Sequence, residues 1–166
     1  FVDGTDDVVL DSTYKTYVFT FNNMHPATDG AHFQFQGNAA SGSGFNETIT
    51  STSFSAAHKE NDATTYLSYD TNYDLAQGTG FQTICSETAN DNDSAVSGYL
   101  HLFDPSSTTF VKHFIAHSNN AHNFPRSEDW YIAGYFNTTS AIDEIQFKFS
   151  SGDIDAGDIC LYGIST

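Results

Sequence analysis

The chain has 166 residues, a formal net charge of −16 and only five basic side chains, Lys15, Lys59, Lys112, Arg126 and Lys148. That balance excludes nucleic acid and membrane insertion as modes of action, because backbone phosphates and anionic lipid both require a basic footprint and no apolar run is long enough to span a bilayer. One domain is expected, with an aromatic core: fifteen Phe, nine Tyr and one Trp stand in a chain poor in the Leu, Lys, Glu and Arg from which amphipathic helices are made.

Residues 1–13 are acidic, carry one Gly and read as an N-terminal arm or linker that docks onto something else. Residues 14–166 read as the β-sandwich domain. Its first strand, residues 14–21, places Tyr17, Phe19 and Phe21 on one face. Residues 22–30 read as a loop around His25-Pro26. In residues 32–36, Phe33 and Phe35 point inward while His32, Gln34 and Gln36 point outward. A small-residue turn occupies 37–44. A Ser/Thr-rich strand at or near a sheet edge follows over 45–55, then a loop over 56–62. Residues 64–70 carry Tyr66 and Leu67 on a further strand. Residues 72–80 are the best place for a short helical turn, with Leu75, Ala76 and Gln77 preceding Gly78.

The second half continues in the same manner. A strand at 81–85 leads into an acidic loop at 87–94, and a strand at 97–103 leads into a tight Asp104-Pro105-Ser106-Ser107 turn. A long strand at 109–117 precedes a polar loop at 118–129. Strands at 130–136, 145–149 and 159–164 end the chain, with Ile145, Phe147 and Phe149 alternating cleanly. Eight to ten short strands, frequent turn signals and almost no helix predict an all-β protein. The expected architecture is an antiparallel β-sandwich, and eight strands in two sheets suggest a jelly roll. One core should hold Phe19, Phe33, Phe35, Ile145, Phe147, Phe149 and Leu161. Cys85 and Cys160 both fall on expected strands, which leaves a disulfide and two free thiols equally open.

Four segments carry a resemblance. They are YKTYVFTFNNMHPATDGAHFQFQ from Tyr14, TITSTSFSAAH from Thr48, SGYLHLFDPSSTTFVKHFIAHS from Ser97 and the terminal DEIQFKFSSGDIDAGDICLYGIST from Asp143. In order and spacing the chain is similar to small β-rich virion structural proteins of tailed phages, many of them marine: tail-fibre or spike modules, head fibres and capsid decorations. The resemblance implies a sandwich or jelly roll located in the virion, with other virion proteins as partners and a homo-oligomer as the assembled form. It supplies no catalytic residue. An interface on so acidic a chain should avoid the acidic turns or borrow Lys and Arg from a neighbour.

Several side-chain constellations bear on chemistry. His113 and His117 share a strand face and His122 lies in the following segment, short of the close array that zinc needs. Asp153, Asp155 and Asp158, with Gly152 and Gly157 beside them, are weak calcium candidates, since the oxygen count is plausible but the EF-hand order is absent. No cofactor is called for. The motif G-x-S-x-G does not occur, and acid pairs such as Glu128 and Asp129 are expected by chance among 21 acids. Trp130 adjoins Tyr131, and Tyr73 belongs to a second aromatic group; rings on sandwich loops can stack on sugars. The expected function is therefore a non-enzymatic virion display protein. A glycan-binding adhesin or carbohydrate-binding module, with Trp130, Tyr131 and Tyr73 as its contacts, is the alternative, and a polysaccharide hydrolase is a weaker one.

Overall fold

A computed structural model describes residues 1–165. Eleven strands form: β1 (Thr16–Pro26), β2 (Ala31–Ala39), β3 (Ile49–Lys59), β4 (Thr65–Tyr69), β5 (Ala76–Gly78), β6 (Gln82–Thr88), β7 (Val96–Phe103), β8 (Lys112–Ala121), β9 (Arg126–Phe136), β10 (Ile142–Phe149) and β11 (Ile154–Ile164). All pairings are antiparallel, and no helix occurs among the described residues. The larger sheet has eight strands in the order β11-β1-β7-β8-β9-β3-β4, with β5 also paired to β3. The smaller has three, β10-β2-β6. The fold is thus the expected antiparallel sandwich, although the eight strands foreseen for a jelly roll are replaced by eleven divided eight and three.

The core lies between the sheets and follows the alternation read from the sequence. Phe19, Phe33, Phe35, Ile145 and Phe149 are buried, and Phe147 and Leu161 pack half-buried against the same cluster. Phe147 is the hub of the aromatic packing. Its ring lies 5.1 Å from those of Phe19 and Phe21, 6.0 Å from Phe33, 6.2 Å from Phe35 and 6.1 Å from Phe1. It remains half-buried because β10 and β11 are both edge strands on the same side of the sandwich.

Several expectations are corrected. Residues 1–13 are laid on their own domain. The Phe1 nitrogen donates to the Ile145 carbonyl and Ile145 N–H donates back, so the segment extends the β10 edge. Leu10 is 1% exposed, and Tyr17 donates its hydroxyl proton to the Asp11 carbonyl. Apolar Phe1, Val8 and Leu10, scattered among acids, account for this docking. The helical turn foreseen at 72–80 is the short strand β5. Its propensity yields to tertiary pairing, since Gly78 and Ala76 pair with Ile49 and Thr50.

The loop foreseen at 22–30 is mostly strand, as β1 runs on to Pro26. The loop foreseen at 118–129 shrinks to four residues between β8 and β9, whereas β3, next to the edge strand β4, lies near the sheet edge as expected. Gln36, expected outside, is fully buried because its side-chain amide donates to the carbonyls of Glu47 and Gly80 in segments folded over it. Cys85 lies in the core, where burial pushes its thiol pKa up, and Cys160 lies on β11 across from Thr20, so both thiols are free. Lys112 is the one Lys buried in the sandwich, and its ammonium donates to the carbonyls of Phe110 and Thr138 at 2.7 and 3.1 Å.

Candidate functional site

Two features stand apart from ordinary sandwich packing: a polar pocket at one rim, and the outward face of the large sheet. The pocket, about 330 Å³, is lined by residues of β3, β4, β6 and β9 and of the segment after β4. Alternation along β9 from Arg126 turns Arg126, Glu128 and Trp130 toward the smaller sheet. Glu128 is 2% exposed. Its Oε1 accepts from the Tyr66 hydroxyl at 2.6 Å and from Ser55 Oγ at 3.2 Å. Its Oε2 accepts from Arg126 Nη2 at 3.0 Å and Nε at 3.3 Å, and His122 Nε2 is also 3.3 Å away. A buried carboxylate requires such compensation.

Two histidines near this pocket are held through their ring nitrogens. The backbone N–H of Phe124 points at His122 Nδ1, while Nε2 lies 2.8 Å from Glu87 Oε2 and within hydrogen-bond reach of Arg126 Nη2. His32 is held likewise, its Nδ1 accepting from the Glu87 N–H. Burial lowers the pKa of both imidazoles, and for His122 the nearby Arg126 lowers it further. Burial, then the bond to Glu128, raises the Tyr66 phenol pKa to about 12. The oxygens of Glu128 are engaged by Tyr66, Ser55 and Arg126, a network that fixes the shape of the pocket. The polar atom left over is Trp130 Nε1, a buried donor without a partner in the pocket wall.

The outward face of the large sheet is built from cross-strand rows. One row runs Phe54, Tyr131, His117, Tyr99 and Thr20 across β3, β9, β8, β7 and β1. The next runs Thr52, Ala133, Ile115, His101 and Val18. Beyond it stand Thr50, Tyr135 and His113, with the Phe103–Thr16 pair alongside, and on the other side Ala56, Asp129, Asn119 and Ser97, where β1 bulges away from register. Across these five strands and four rows the only acid is Asp129, which accepts from His117 Nε2 at 2.8 Å; the chain as a whole has 21. Lys and Arg are absent from these rows. Phe54, Tyr99, Ile115 and Tyr131 are 38–49% exposed. The rings of Phe54 and Tyr131 are stacked 5.0 Å apart at 7°, and those of Tyr131 and His117 4.3 Å apart at 16°. They stand like plates in a rack, occupying one another's faces and offering their edges to solvent. Beside this ridge lies a furrow of about 470 Å³ over Thr52, Ala133 and Gly134, bounded by Tyr135, His113, Phe103 and Ile115. Any Cβ at Gly134 would collide with the Thr50 carbonyl and the Phe114 ring, so close packing beneath the furrow requires glycine there.

The candidates from the sequence are distributed as follows. Trp130 is 1% exposed and packs edge-on against half-buried Tyr73 at 5.2 Å, so both belong to the core side of the pocket. Tyr131 faces the opposite way, into the ridge. The expected sugar-stacking trio is therefore split, because adjacent strand residues point to opposite faces. His113 and His117 lie on the outer face and His122 on the inner one. Asp153 and Asp155 are exposed at the start of β11, and Asp158 sits opposite Asn22. Among the described residues no group of three or more His, Cys, Asp or Glu converges as a metal site. Sequence reading names Glu128, Tyr66, Arg126 and His122 separately without grouping them, because the loop expected at 118–129 hides the face that Arg126 and Glu128 share and Tyr66 lies on a strand distant in sequence. The alternation of R-S-E-D-W could have found Glu128, since it places that acid on the same face as Trp130. No family model, curated protein or solved structure matches the chain.

Proposed function

We propose that this protein is a non-catalytic assembly and display module that acts by surface contact. The observation that carries this reading is the outward sheet face: a broad, nearly acid-free, aromatic surface on a chain of net charge −16. A soluble monomer rarely leaves such a patch uncovered, and large ones mark contact sites. Its place is the virion of a tailed phage, as fibre, spike or capsid decoration among other virion proteins. That location is supported by the four sequence segments named above. Mass spectrometry and antibody labelling of purified particles test it: the chain should be present at a defined position and in many copies, and its absence from particles would refute the location.

A second reading, glycan binding, is favoured by one observation, the unpartnered Trp130 Nε1 on the wall of the polar pocket. The ridge suits sugars poorly, because ring faces there are already occupied by neighbouring rings. A glycan array decides this reading, and binding abolished by Tyr66→Ala but retained in Tyr131→Ala would assign it to the pocket.

A further inference from the structure

We infer that the outward face of the eight-stranded sheet pairs with the same face of a second copy of this chain, ridge into furrow about a two-fold axis. The inference rests on the assembly reading above and names its partner.

Three features carry it. The first is charge. Two copies each at −16 repel wherever acids face acids, and the sheet face is the broad surface from which acids are nearly excluded, with Asp129 already bonded to His117. The second is shape. An isologous contact needs a surface complementary to itself, in which patch i meets patch j and j meets i. Here the ridge of Phe54, Tyr131 and His117 and the furrow over Ala133 lie in adjacent parallel rows. An axis running between them and along their direction would seat each ridge in the other copy's furrow. Ring edges, which the stack turns outward, meet apolar furrow walls. The third is area. With strands about 4.8 Å apart and same-face residues about 6.8 Å apart along each strand, five strands by four rows cover roughly 600–700 Å². With the flanking outward side chains Leu67 on β4 and Tyr162 on β11, each copy approaches the roughly 800 Å² per partner of a standard specific interface.

Sedimentation and light scattering of the purified full chain test the pairing. The mass should be twice 18.2 kDa at micromolar concentration. Raising the salt should tighten the dimer, because screening weakens repulsion between two acidic copies. Ile115→Asp and Ala133→Glu should each raise the dissociation constant at least about 30-fold. Phe124→Ser, which removes an apolar side chain exposed away from the face, should leave it unchanged. Circular dichroism confirms that each variant is folded. Hydroxyl-radical footprinting of the unmodified chain needs no variant: Tyr99, Ile115 and Tyr131 should be protected in concentrated and not in dilute solution, with Phe124 reactive in both.

A monomer at 100 μM-scale concentration, a dimer insensitive to Ile115→Asp and Ala133→Glu, dissociation by salt, or unprotected Tyr131 in the concentrated sample each overturns the inference. The outcomes separate from those of the parent reading: a monomer found on particles refutes the pairing alone, and a face-to-face dimer absent from particles refutes the virion location alone.

Discussion

Replacing Phe147 with Ala tests the core directly. The ring sits on β10 between Phe19 and Phe21 of one sheet and Phe33 and Phe35 of the other, with Phe1 closing the open side. Full burial of a Phe hides about 150–250 Å². Half-buried as it is, Phe147 hides about 100 Å², and at about 25 cal/mol per Å² its removal costs about 2.5 kcal/mol in transfer energy. The edge-on pairs with Phe1 and Phe21 add one ring interaction's worth, about 0.5–1 kcal/mol in total, because their contributions share one ring and do not sum. The cavity left behind opens toward solvent at the sandwich edge and can be filled by water or by Phe1, so the cavity cost is small. The expected loss is about 3 kcal/mol, the low end of the range for Phe→Ala. Thr108→Ala, exposed in the turn before β8, should change stability by less than about 0.5 kcal/mol. Urea titration followed by circular dichroism measures both, with the slope checked for constancy. A loss below about 1 kcal/mol for Phe147→Ala would mean that the ring cluster does not hold the sheets together.

Other outcomes follow from the same contacts. Leu10→Ala should cost about 2–4 kcal/mol in the same titration, because Leu10 is buried against the domain; a neutral result would restore the view of residues 1–13 as a detachable arm. Glu128→Ala should cost about 3 kcal/mol by leaving Arg126 and the Tyr66 hydroxyl without their acceptor, whereas Glu60→Ala, exposed just after β3, should be nearly silent. Stability should also fall at both ends of the pH range. His32 and His122 have folded pKa values below the unfolded 6.5, so the unfolded chain binds more protons and stability, full above pH 6.5, declines as pH drops below it. Tyr66, raised from 10 to about 12, stabilises fully below pH 10 and progressively less between 10 and 12. Denaturation midpoints across pH read both limbs, and a His122→Asn variant whose acid limb is as steep as that of the unmodified chain would contradict the assignment of His122.

The sequence by itself determined the strands, the class and most of the core. Alternation at Tyr17, Phe19 and Phe21 and at Ile145, Phe147 and Phe149 is a local property, because a period of two fixes which side chains share a face whatever the partner strand. The scarcity of helix formers excluded the main competitor. Tertiary structure decided what periodicity cannot carry. Which strand lies beside which is a long-range choice: β1 lies between β7 and β11, and β3 between β9 and β4. That choice aligned Phe54, Tyr131, His117 and Tyr99, separated by tens of residues, into one row. It also turned Trp130 inward and Tyr131 outward, splitting a pair that looks like one site in sequence. Finally, it drew the acidic first segment onto the β10 edge and enclosed Glu128 and His122 in a rim that reads as a polar loop. A local pattern specifies the faces of each strand, and only the pairing of distant strands specifies what those faces meet.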